Sequence, residues 1–138
     1  TYGKWYKVIR AKDSTKAAII AREALEAAGK KNIHYNTTAK GYTLPQALKK
    51  VGWDMAKVKT TVYTSCTPLA MACVLCAGVG RDKDKYYQWA RSSTKSIAER
   101  LTATGQFTAF DYPKGGAGLQ VGDIVISKTH GVIITGVK

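Results

Sequence analysis

The sequence is short of carboxylates: 9 Asp+Glu stand against 22 Lys+Arg, giving a formal charge of +13. A chain this basic is drawn to polyanions: nucleic acid, anionic membrane or the anionic polymers of a bacterial wall. Charge alone does not choose among them. The excess is uneven. Residues 1–65 hold 13 basic and 4 acidic side chains, net +9, and residues 66–138 hold 9 and 5, net +4. Long apolar runs are missing too, since no stretch approaches the ~18 apolar residues that a membrane span requires. The opening, Thr1 to Lys7, has neither an initiator Met nor the apolar core of a secretory signal, so the chain reads as a fragment of something longer. There are only three cysteines, an odd number, and Cys73 and Cys76 crowd into one apolar run. That excludes a disulfide framework and leaves at least one thiol free, either in a reducing compartment or with a task of its own. Internal repeats and low-complexity tracts are absent as well. What is there, 138 residues of which 45% are hydrophobic, is enough for one domain with a real core. It is also too apolar for a disordered chain.

Residues 1–12 read as a linker, an N-terminal extension or a first short strand, and residues 13–138 as a single domain. Asp13 or Ser14 suits a helix N-cap. Behind it Ala17, Ile20, Ala21, Ala24, Leu25 and Ala28 recur at helical spacing, with Arg22, Glu23 and Glu26 off the stripe and Gly29 as the stop. Residues 32–42 read as loop. Thr43 is placed to cap a short helix to Val51, with Pro45 in its first turn. Val58 to Tyr63 is rich in β-formers. From Cys66 to Gly78 there is no charge, and Pro68 is comfortable only in the first turn of a helix, so Cys66 falls at the helix start. A helix apolar all round is a buried central helix. Residues 82–103 predict a second helical region broken near Ser92–Ser93. In it Tyr86 and Trp89 share a face while Tyr87 points elsewhere. Three β signals follow: 107–110, 123–127 and 130–135, the last two joined by Lys128–Thr129 as an antiparallel hairpin. Helices first and strands last describe an α+β domain.

Two pieces combine into chemistry. Cys66 heads a buried helix, and His130 opens a strand of the C-terminal sheet. A helix N-terminus favours a thiolate, an imidazole takes and returns a proton, and a rigid strand is a good mount for it. The backbone N–H groups of Cys66 and Thr67 are placed to hold the oxyanion of a tetrahedral intermediate.

With these residues in view, the sequence resembles the NlpC-type cell-wall cysteine peptidases, peptidoglycan hydrolases of phages and bacteria. Ser65-Cys66-Thr67-Pro68-Leu69 through Cys76-Ala77-Gly78 is similar to that family's Asp-Cys-Ser-Ser motif and the apolar run behind it. Leu119-Gln120-Val121-Gly122-Asp123-Ile124-Val125 and then His130-Gly131-Val132-Ile133-Ile134 are similar to its Gly-Asp strand and His strand. The resemblance spans roughly residues 14–136. It implies a papain-like α+β fold, Cys66 as nucleophile, His130 as base and then acid, and Tyr35 and Ser65 as substrate-binding residues. It implies an endopeptidase acting on an amide of the stem peptide or cross-bridge, with peptidoglycan as partner. The place of action is extracellular or facing the wall, and anionic wall polymers meet the basic surface. No metal, cofactor or specific nucleic acid is called for. Three departures stand out. Ser65 replaces the Asp that holds a free peptide amine in the family, which leaves substrate choice open. The family's Tyr-x-x-Gly-Gly run is reduced to Tyr35-Asn36-Thr37-Thr38. Only eight residues follow His130, so no orienting third residue is assigned.

Other readings stay open. The same chemistry serves an amidase cutting between lactate and L-alanine. A basic binding module on a degenerate peptidase fold needs no chemistry at all. Cys66, Cys73, Cys76 and His130 are also a conceivable zinc set, although a Cys-x-x-Cys inside an apolar helix reads first as core packing. His34, with no partner in the sequence, reads as a loop or rim residue.

Overall fold

The computed structural model describes residues 5–36 and 42–136. Its architecture is α+β, with helices packed on an antiparallel sheet. The sheet has four strands in the order β4–β1–β5–β6, every neighbour antiparallel. They are β1 (Lys7–Ala11), β4 (Phe107–Asp111), β5 (Ile124–Ile126) and β6 (Gly131–Ile133). Ile9 lies opposite Ile124, which in turn lies opposite Ile133. Residues 7–11 therefore take the strand reading rather than the linker one, and the packed unit begins ahead of residue 13. Val8 and Ile9 are fully buried, flanked by the charges Lys7 and Arg10, and their partners lie about a hundred residues away in sequence. No helix among the described residues is long and apolar enough to cross a membrane.

Helix α1 (Ser14–Ala28) starts at Asp13, whose carboxylate accepts the Thr15 N–H at 2.8 Å. Its buried face is turned from the expected stripe: Leu25 is 57% exposed, while Glu23 is buried with Ile20, Ala21 and Ala27. The reason is polar. Glu23 Oε2 accepts the Met55 N–H at 3.2 Å, and Arg22 reaches Oε1 at 3.4 Å. A buried carboxylate with such partners is satisfied rather than costly.

Two short strands, β2 (Ile33–Tyr35) and β3 (Val62–Thr64), pair in parallel. The loop expected at 32–42 thus contains a strand, and the β-rich stretch before Cys66 forms one only from residue 62. Between them α2 (Thr43–Lys50) carries Pro45 in its first turn. Thr43 does not cap it. Its hydroxyl donates to the Tyr63 carbonyl at 3.2 Å and accepts the Tyr63 N–H at 3.1 Å, fastening α2 to β3 instead.

Helix α3 (Cys66–Cys76) is the buried centre. It packs on α1, α2 and β6, and Ala70 through Cys76 are all buried. Burial of Met71, Val74 and Leu75 contributes about 1.5–3 kcal/mol each. The break near Ser92–Ser93 separates α4 (Tyr86–Trp89) from α5 (Ile97–Thr102). Tyr86 and Trp89 pack on the core, whereas Tyr87 turns edge-on to Tyr42.

The Gly122–Asp123 turn joins the sheet to α1. Gly122 has φ +92°, and a Cβ there would lie 2.3 Å from the Ala17 carbonyl oxygen, so only glycine fits. Asp123 is 1% exposed and accepts Arg10 in a two-pronged ion pair, Nε and Nη2 each at 2.8 Å. It also accepts the Gln120 N–H at 2.8 Å. The ion pair holds the Arg10 guanidinium in its charged form more firmly than usual, mainly through the hydrogen bond to Asp123.

Candidate active site

The start of α3 is built by Ser65, which is extended, and by Pro68 in the first turn. The Leu69 N–H closes the first turn on the Ser65 carbonyl at 3.0 Å. The first N–H groups of a helix have no intrahelical acceptor, so those of Cys66 and Thr67 point forward from the helix end. Thr67 is buried and its hydroxyl donates to the Ser92 carbonyl, which draws the loop after α4 against the helix start. The imidazole side comes from the hairpin. The Ser127 N–H donates to the His130 carbonyl at 2.8 Å, and Ser127 Oγ accepts the N–H groups of Thr129 and His130 at 3.3 and 3.1 Å. This turn fixes the backbone at the mouth of β6. The two halves meet closely: a Cβ on Gly131 would lie 3.2 Å from Thr67 Cγ2. The residue after the thiol therefore touches the residue after the imidazole.

Cys66 and His130 line one open cleft of about 640 Å³, together with Tyr35, Ser65 and Thr67. A cleft of this size suits a peptide-sized ligand. Cys66 is partly exposed there, unlike Cys73 and Cys76, which are buried further along the same helix. Burial pushes the Cys73 thiol well above the ordinary thiol range and the Cys76 thiol up to about 12. Nearby Glu23 adds to both effects. A thiol so raised stays protonated at neutral pH and is a poor nucleophile. Among the described residues, no group of three or more His, Cys, Asp or Glu gathers at metal-binding distance. His34 stands apart from the cleft lining: it is exposed and stacks on Tyr63, ring centroids 5.3 Å apart. Thr37 and Thr38 lie outside the described residues.

Trp5, two residues ahead of β1, places its ring 6.3 Å from the His130 ring, tilted by 38°. Several lining residues escaped the sequence reading. Arg91, Ser92 and Arg100 come from the break between α4 and α5, and Lys128 from the β5–β6 turn. Their signal was the break itself, a run of small polar residues between two short helices. Ser92 Oγ donates to the Trp89 carbonyl at 3.1 Å and accepts from Arg100 at 3.2 Å.

The arrangement can hold a carbonyl-bearing chain across the thiol, with backbone N–H groups at the helix end and an imidazole opposite. No curated protein and no solved structure matches the chain. A family comparison does: the endolysin-like domain matches residues 1–138. The chain therefore belongs to the endolysin-like domain family, which aligns it with phage lysins and hydrolysis of the bacterial cell wall.

Proposed function

We propose that the protein is a cysteine peptidase of the NlpC type that cuts an amide in the stem peptide or cross-bridge of peptidoglycan. The observation that carries this reading is the shared cleft: the Cys66 thiol at a helix start and the His130 imidazole at a strand start line it together. His130 takes the thiol proton, and the sulfur adds to the amide carbon. The N–H groups of Cys66 and Thr67 receive the oxyanion. The C–N bond breaks as His130 returns the proton to the leaving amine, leaving a thioester. Water, deprotonated by the same imidazole, then releases the acid and restores the thiol. Tyr35 and Ser65 line the same cleft, which supports their reading as substrate contacts. Residues 13–138 form the catalytic domain together with β1, which completes its sheet. It works outside the cell or facing the wall, and the +13 charge helps it land on anionic wall polymer.

Cys66→Ala is expected to abolish the clearing of purified walls, a loss of at least about a thousandfold, while the melting temperature stays within about 3 °C of wild type. His130→Gln should do nearly the same. Wall clearing by Cys66→Ala at the wild-type rate would falsify the mechanism. Mass spectrometry of the released muropeptides identifies the bond and separates an endopeptidase from an amidase.

A further inference from the structure

A cleft that attacks amides must still choose among them, and its charge makes a choice. None of the chain's 9 carboxylates lines the cleft, whereas Arg91, Arg100 and Lys128 all do. The two ion pairs among the described residues involve none of these three. The partners of the two guanidinium groups are neutral and leave their charge intact. Arg100 Nη1 donates to the Trp89 carbonyl at 2.8 Å and to Ser92 Oγ at 3.2 Å. Arg91 lies 5.9 Å from the centre of the Tyr42 ring, and its neighbour Ser92 is bonded to Thr67. The Lys128 carbonyl accepts the Thr94 hydroxyl at 2.8 Å, tying the hairpin turn to the loop that carries Arg91. Three cations thus line the cleft that holds the thiol, and no Asp or Glu of the described residues pairs with them. Such a cluster repels a protonated amine and attracts a carboxylate, and a guanidinium binds one in two-pronged fashion.

We propose that this cleft selects peptides carrying a free carboxylate close to the scissile amide, with Arg91 and Arg100 as its binding residues and Lys128 adding attraction. The inference rests on the cysteine-peptidase reading and specifies its substrate class as anionic stem peptides rather than peptides read through a free amine.

The test uses two synthetic stem peptides identical except that the carboxylate nearest the scissile bond is free in one and a carboxamide in the other. Wild-type protein is expected to show a kcat/KM at least about tenfold higher on the carboxylate form, chiefly through KM. Arg91→Gln should shrink that preference to about threefold or less, and high salt should do the same. Equal cleavage of both forms, or a preference for the carboxamide, overturns the proposal and leaves the peptidase reading standing. If neither form is cut, calorimetry on Cys66→Ala decides. Tighter binding of the carboxylate form supports the anion site while the peptidase reading falls, and equal binding overturns the site as well.

Discussion

The two ends of α3 carry the same side chain in opposite circumstances. At the first residue, Cys66 is partly exposed at the mouth of a cationic cleft. At the last, Cys76 is buried, with Glu23 of α1 nearby and a thiol pushed up to about 12. One turn inward, Cys73 is fully buried. The contrast teaches that a cysteine's chemistry is set by its position on the element rather than by the residue. A helix start offers N–H groups and solvent, whereas the interior of an apolar helix offers neither.

The comparison can be broken or sharpened experimentally. The largest effect is all-or-none. Iodoacetamide at pH 8 should label one thiol in the folded protein, identified as Cys66 by peptide mapping, and three after denaturation. Labelling of Cys73 or Cys76 in the native state would erase the distinction between the two ends. Next in size is packing. Leu75→Ala removes a fully buried side chain near the enclosed end and should cost about 2–5 kcal/mol by denaturant unfolding. The same truncation at half-buried Leu69, near the cleft end, should cost clearly less. The smallest effect is alkaline. Both buried thiols have folded pKa values above their unfolded ones, so their contribution is fully present below the ordinary thiol pKa and is lost as pH rises through it. Unfolding free energy should fall above pH ~9 by up to about 1.4 kcal/mol per pH unit for each thiol, and Cys76→Ala should reduce that slope.

Legibility in the sequence followed the range of the forces involved. Helix α3 was readable because its run is uncharged and Pro68 marks its first turn, both local facts. The β5–β6 hairpin was readable because its partners are neighbours in sequence. Strand β1 was only half readable, since Val8 and Ile9 sit between charges and pair with distant strands. The β2–β3 pair was unreadable: Ile33-His34-Tyr35 is too short for a period of two to stand out, and its parallel partner begins at residue 62. The turned face of α1 depends on one long-range bond from Glu23 to Met55. At the site, Cys66, His130, Ser65 and Tyr35 were singled out from the sequence and line one cleft. The cationic wall was missed because Arg91 and Arg100 lie among many other cations in the sequence, and only the fold decides which of them line the cleft.

The position of β1 between β4 and β5 also bears on the order of folding. Residues 7–11 leave the ribosome about a hundred residues ahead of their two partners, residues 107–111 and 124–126. Contacts so distant in sequence form late. β6 packs on α3 and is tied to that first strand through β5, so the cleft is completed from the C-terminal side. A nascent chain that stops before residue 124 holds Cys66 but neither β5 nor β6, and so lacks the hairpin that supplies the His130 side of the cleft.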